Sequence, residues 1–343
     1  VTRPKLVIGA NGFLGSHVTR QLVAAGHDVR VMVRDGANTI GIDDLTAERF
    51  IGDIWDNDTL RAAMTECDDV YYCVVDTRGY LIDPAPLYRT NVDGTRNVLD
   101  VAQAVHSQKP LRRFIFTSTY ATADRRHGRV ASEADVITDE AKLTHYVRTR
   151  VQAERMVLQT ARDGVLPAVA MCVSTTYGPG DWGRTPHGAI IAGAAFGKLP
   201  FVLGGIELEA VGVDDAATAM ILAAERGRVG ERYLISEKMI SNAEVVRIAA
   251  QAAGVPAPTR KIPWPMTYVM GALGSAKARL RGKDERLTLN AVRLMRAEAP
   301  VDHRKAVREL GWQPKPVEDS IAEAARFWVG LRKAKRSVSP QQD

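Results

Sequence analysis

The first half of the chain alternates between short apolar runs and stretches with helical spacing. Residues 5–9 (KLVIG) are an apolar run that ends in glycine. In residues 13–27, Phe13, Leu14, Val18, Leu22 and Ala25 recur at helical intervals and Gly26 closes the pattern. Further strands are predicted over 28–34, 49–54, 69–75, 112–119 and 167–173, and further helices over 56–67, 84–105 and 139–164. Strands separated by helices of this length need crossover connections, so they pair in parallel and with right-handed turns. The predicted fold class is α/β, a doubly wound parallel sheet with ligands at the carboxyl ends of its strands.

After about residue 175 the rhythm loosens. Gly and Pro become frequent, as in YGPGDWGRTPHG (177–188), and helical patterns over 242–254 and 320–335 are separated by short strands. This predicts a first domain over 1–174, a smaller substrate lobe over 175–330 and a basic, flexible tail over 331–343. The 343 residues suffice for a sizeable core, and 45% hydrophobic with 25% charged residues is an ordinary globular balance. The net charge of +6 favours anionic small molecules. Basic residues cluster only at 122–129, 275–283 and the tail, without a base-stacking motif, so no nucleic-acid partner is expected. Three scattered cysteines, Cys67, Cys73 and Cys172, suit neither a disulfide framework nor a metal site and read as buried thiols. The opening apolar run is too short for a signal peptide and no stretch approaches ~20 apolar residues, so a cytoplasmic location without a transmembrane segment is expected. Residues 264–280 place an apolar stretch before a basic one. That suits a helix of the substrate lobe, or a peripheral contact with a membrane surface.

Gly9, Gly12 and Gly15 stand three apart between the first strand and the first helix. Glycine lets the backbone turn tightly and approach a pyrophosphate, and the helix N-terminus adds free N–H groups and a positive dipole end. The second strand runs into Arg34 and Asp35. An arginine there pairs with the 2′-phosphate of NADP, whereas an acidic residue accepts from the ribose of NAD. Arg34 directly follows the apolar run, so NADP(H) is favoured, and Asp35 keeps NAD(H) open.

Two further features carry chemistry. The strand over 112–119 ends in Thr117, Ser118 and Thr119, and Tyr146 stands four residues before Arg150, on the same helix face. A tyrosine has a pKa near ~10. A cation at ~5 Å in an effective dielectric of ~20 would lower it by about two units. Lys142, one turn earlier, is a second cation expected on that face.

These residues carry a resemblance. The GANGFLG turn, FIFTSTYAT, YVRTRVQAERMVL, NVDGTRNVLDVA and TTYGPGD together resemble the extended short-chain dehydrogenase/reductases of the NAD-dependent epimerase/dehydratase type. Within these the chain is most similar to the dihydroflavonol-reductase-like and hopanoid-associated sugar epimerase-like group. The resemblance implies an NAD(P)-binding Rossmann domain, with backbone around Asn11, Gly12, Phe13 and Leu14 on the pyrophosphate and Asp53 and Ile54 at the adenine. It implies Thr119 as the hydroxyl on the substrate carbonyl, Tyr146 as proton donor and Asn91 beside the catalytic group. Arg150 stands where such enzymes carry a lysine that also holds the nicotinamide ribose. Asp76 departs from the usual small residue, and Leu208 and Glu209 replace an arginine–aspartate pair that meets sugar diphosphates.

The expected function is an NADPH-dependent reductase of a ketone or aldehyde on a fairly apolar small molecule. Asp76, Tyr80, Thr119, Thr176, Tyr177 and Trp182 are its candidate pocket residues, and Tyr146 and Arg150 also face the cofactor. Alternatives are a nucleotide-sugar epimerase or dehydratase, a 3β-hydroxysteroid dehydrogenase-like enzyme, and a non-catalytic NADP(H) sensor. A homodimer through its long helices is expected from the resemblance alone.

Overall fold

In a computed structural model the chain is described over residues 3–295 and 299–338, with side chains to 334. Twelve strands are described: β1 (Lys5–Ile8), β2 (Val29–Val33), β3 (Glu48–Ile51), β4 (Asp69–Tyr72), β5 (Arg113–Thr119), β6 (Ala168–Val173), β7 (Thr175–Tyr177), β8 (Val202–Leu203), β9 (Glu207–Gly212), β10 (Arg232–Ile235), β11 (Lys238–Ser241) and β12 (Lys261–Ile262). The helices are α1 (Phe13–Ala24), α2 (Asn57–Met64), α3 (Ala85–Tyr88), α4 (Gly94–Gln108), α5 (His145–Arg162), α6 (Pro186–Ala195), α7 (Val213–Arg226), α8 (Asn242–Ala252), α9 (Trp264–Arg281), α10 (Leu289–Leu294), α11 (Arg304–Leu310) and α12 (Val317–Val338).

Seven strands form one parallel sheet in the order β10-β6-β5-β4-β1-β2-β3. Strand parity divides the core. Leu6, Ile8, Tyr72, Phe114 and Phe116 face one layer with α2, α4 and α5, while Val7, Val31, Tyr71 and Ile115 face the other with α1, α7 and α11. The predicted doubly wound sheet is therefore present. Its strand order reverses between β1 and β4, and a crevice opens there beyond their carboxyl ends. A three-stranded sheet, β11-β9-β7, and the pair β12-β8 belong to the smaller lobe, whose core lies among α6, α8 and α12.

The chain crosses the expected division at residue 174. It leaves the sheet after β6, returns with α7 against α1, and adds β10 beside β6. Two predicted helices also differ. The pattern over 84–105 is interrupted by a π-helical turn, Arg89–Asp93, and the pattern over 139–164 becomes helical only at His145, because Thr144 caps it through the Val147 N–H. Lys142 therefore precedes the helix and is exposed, so it is not a second cation on the Tyr146 face. The tail residues 331–338 continue α12, and 339–343 lie outside the described residues.

Candidate active site

The glycine turn at the end of β1 is shaped by its backbone. Gly9 has φ +83°, and its carbonyl accepts the Gly12 N–H at 3.0 Å. A Cβ on Gly15 would lie 2.3 Å from the Gly9 oxygen, a distance no side chain can occupy. α1 begins at this turn without a side-chain cap, so its first N–H groups face outward from a positive helix end. Such a cradle fits the pyrophosphate of a dinucleotide. Arg34 directly follows β2 and is exposed, as is Asp35. Asp53 accepts the Trp55 N–H at 3.3 Å, and the carbonyl of the buried Ile54 accepts from Asn97 at 2.7 Å, which fixes the segment beyond β3.

β5 sorts its three hydroxyl residues. Ser118 donates to the buried Glu154, which is paired with Arg232 at 2.8 Å. Thr117 turns to the sulfurs of Cys73 and Met220. Thr119 ends the strand, where its hydroxyl accepts the Ala121 N–H at 3.3 Å and stands near enough to Tyr146 of α5 to act on the phenol's pKa. Burial pushes the Tyr146 phenol above the usual tyrosine value, and the charge of Asp76 adds to this, while Arg150 and Thr119 pull it down without prevailing. The expected lowering by Arg150 is thus outweighed.

Arg150 itself is drawn into the sheet. Its side chain is completely buried, stacked 4.9 Å over the Phe116 ring, and one terminal nitrogen donates to the Thr117 carbonyl. Burial pushes its own pKa down. Its Nε and the other terminal nitrogen have no protein partner. Two buried donors without acceptors beside Tyr146 fit a ligand rich in hydroxyls, such as the nicotinamide ribose.

Asn91 sits in the π turn and is fully buried. Its amide oxygen accepts the Asp76 N–H at 2.8 Å, and its nitrogen donates to the Asp76 carbonyl at 2.9 Å and to Thr149 at 3.2 Å. Thr149 in turn donates to the Tyr146 carbonyl at 2.8 Å. These contacts tie the loop after β4 to α5 and hold Asn91 beside Tyr146. Asp76 is buried but held by Arg78 in a bidentate pair, at 2.9 and 2.6 Å; burial pushes its pKa up and the Arg78 bonds pull it lower overall.

A match of residues 5–236 to the family model "NAD dependent epimerase/dehydratase family" decides the affiliation. The chain belongs to this family. It is 28% identical over 328 residues to a putative dihydroflavonol 4-reductase of Synechocystis sp., covering 94% of this chain and 93% of the relative. It is 26% identical to sterol demethylase protein B of Methylococcus capsulatus, covering 94% and 97%. The crystal structure of gox2253 superposes with a TM-score of 0.83 at 31% identity, covering 96% of this chain and 99% of that one. Membership in the epimerase/dehydratase family places the chain among NAD(P)-dependent enzymes of the oxidoreductase type.

In this member of the family a pocket of about 260 Å³ opens beside the glycine turn. Asn11, Gly12 and Phe13 line it with Tyr80 and Trp182, so the structure brings these candidates together. It adds Arg184 and Arg286, which sequence reasoning missed. Arg184 has φ +51°, a left-handed backbone that non-glycine residues adopt at a cost and that clusters at functional sites. Thr119, Tyr146 and Arg150 do not line this pocket, and a larger groove, about 1470 Å³ along α4 and α5, contains neither the glycine turn nor Tyr146. Thr176 and Tyr177 do not line the small pocket; Tyr177 is buried in the smaller lobe, edge-on to His187. Glu209 is buried as well, accepting from Ser236 and from the Val301 N–H at 2.9 Å, so it is a structural carboxylate and would not meet a substrate diphosphate. His17 on α1 was also missed. It contacts Asp214 at 2.6 Å and the Pro179 carbonyl at 3.0 Å, which fastens α1 to α7 and to the segment above the pocket.

Burial pushes His187 down to about 4. The unfolded chain takes up this proton near pH ~6.5, and the folded chain takes it up only near 4. Stability is therefore complete above the unfolded value and declines as the pH falls toward the folded one. His187→Gln is expected to flatten this part of the curve of urea midpoint against pH. An unchanged slope would assign the acid lability to other groups.

Proposed function

We propose that the protein is an NADPH-dependent reductase of a ketone or aldehyde on a fairly apolar small molecule. The observation that carries this reading is the placement of Tyr146 on α5 beside Thr119 at the end of β5, with the unpartnered donors of Arg150 and the uncapped glycine turn nearby; burial also keeps the phenol neutral. A phenol in that state is a proton donor, and Thr119 orients the carbonyl oxygen that receives the proton. The turn at Gly9, Gly12 and Gly15 would hold the dinucleotide pyrophosphate, Arg34 the 2′-phosphate and Arg150 the nicotinamide ribose. The bound dinucleotide supplies the hydride. Tyr80 and Trp182 supply apolar surface beside the glycine turn, and the names of the two relatives, a reductase and a sterol demethylase protein, support the reading.

The test is a titration with NADPH and NADH, followed by nicotinamide fluorescence at low salt, on the parent and on Arg34→Ala. A charge-assisted pair with the 2′-phosphate is worth about 1.5–3 kcal/mol, so Arg34→Ala should weaken NADPH roughly 10- to 100-fold and leave NADH unchanged. Equal weakening of both would remove Arg34 from the phosphate, and binding of neither by the parent would favour a sensor or scaffold.

Arg184 and Arg286 at the pocket favour a second reading, a nucleotide-sugar epimerase or dehydratase, in which they would meet a substrate phosphate. NAD retained by the purified protein, with turnover of a nucleoside-diphosphate sugar, would bring this reading forward.

A further inference from the structure

Helix α9 buries only one side. Thr267, Gly271 and Ala278 face the protein, where Gly271 lies against Val292 of α10. On the opposite side Met266, Val269, Leu273 and Leu280 fall at intervals of three, four and seven, one stripe running the length of the helix. They are 55, 56, 65 and 87% exposed. A helix at a water boundary normally carries polar residues there, and single exposed apolar side chains need no explanation, but an ordered stripe of four does. Ala272 and Ala276 extend it without a polar interruption, and Tyr268 borders it at 40% exposure.

The charges around the stripe are predominantly positive. Residues 260–286 hold seven basic and two acidic residues, and of the acidic ones Glu285 is paired with Lys277 and Asp284 accepts the Ile82 N–H. Arg279, Arg281 and Lys283 follow at the end of the stripe, all exposed. A second copy laid on this face would bring like charges together. An apolar surface flanked by cations complements a bilayer with anionic headgroups.

We propose that α9 docks on an anionic membrane surface, with Met266, Val269, Leu273 and Leu280 entering the headgroup boundary and Arg279, Arg281 and Lys283 on the lipid phosphates. Among the described residues no helix is long and apolar enough to cross a membrane, so the contact is peripheral. The site lies close by. Arg286 lines the pocket just beyond α9, and Leu294 of α10 reaches Gly79 beside Tyr146. Resting on the reductase reading, this arrangement would admit a substrate that partitions into lipid.

The experiment is sedimentation of the full chain with vesicles of phosphatidylcholine alone and of phosphatidylcholine with added phosphatidylglycerol. The parent should bind the anionic vesicles on the order of 10- to 100-fold more tightly, and salt should release it. Val269→Glu with Leu273→Glu should abolish binding, and Arg279→Glu with Arg281→Glu should abolish the preference for anionic lipid. Both variants change exposed positions, and far-UV circular dichroism with NADPH titration in the same samples separates a failure of docking from a failure of fold or cofactor site. No binding to anionic vesicles at low salt overturns the proposal. So does binding that survives the two glutamates, or a dimer that the two glutamates dissolve, which would assign the face to a second copy.

Discussion

Tyr146→Phe is expected to lower kcat for carbonyl reduction by about 10²- to 10⁴-fold, the range for losing a positioned general acid. NADPH affinity should stay within a few-fold, because the pyrophosphate and 2′-phosphate contacts lie on other elements. The ring itself is well placed to persist. Its Cβ would be 3.2 Å from a Cβ on Gly79, and its neighbours include Ile137, Val147, Val151 and Leu294. Removing the hydroxyl leaves this packing intact, so a stable, NADPH-binding and inactive protein is the expected phenotype. The pH dependence should agree. Since burial pushes the Tyr146 phenol above its usual value, reduction should hold its plateau beyond the ordinary tyrosine range, while oxidation of the alcohol, which needs the phenolate, should rise with pH. A Tyr146→Phe variant that turns over at the parent rate would remove Tyr146 from the chemistry.

The sheet and the glycine turn were legible in the sequence because each rests on local pattern. Apolar runs alternating with helical spacing predict a parallel sheet, and three glycines between a strand and a helix predict a cradle; the Gly9 oxygen, 2.3 Å from where a Cβ on Gly15 would stand, is the physical form of that expectation. The three hydroxyls at the end of β5 were visible as a group, but their sorting was not. It depends on Glu154 and Arg232, which arrive from α5 and β10 to claim Ser118. The role of Asn91 depends on a π turn that has no sequence signature, and on Thr149, 58 residues later. His17 and Asp214 are 197 residues apart, beyond any local pattern. The α5 start was misplaced for a simpler reason. Residues 139–143 have helical composition, and only the cap at Thr144 excludes them.

Arg150 is the position at which stability and chemistry should part. Its guanidinium is buried with two nitrogens unpartnered among protein atoms. A buried, unsatisfied donor costs about 1–3 kcal/mol, and more when charged. Arg150→Met should therefore fold well and melt above the parent in the absence of dinucleotide, with the methionine packing on Phe116. The same variant should lose activity. At ~5 Å and an effective dielectric of ~20, a cation stabilises negative charge on the Tyr146 oxygen by about 3 kcal/mol, or roughly 100-fold in alcohol oxidation, where the phenolate must form. Reduction should suffer through weaker nicotinamide placement, read as a higher KM for NADPH. Arg150→Lys keeps the charge on a narrower group with rotatable donors. It should preserve or raise turnover, because an ammonium keeps the charge beside Tyr146 and offers the ribose three rotatable donors in place of a fixed fork. Melting without dinucleotide and oxidation kinetics on the two variants decide the matter together. If Arg150→Met is both more stable and fully active, the buried cation has no role in this site. If it is destabilised, the contacts with Thr117 and Phe116 outweigh the orphaned donors, and Arg150 is first a structural residue of the sheet.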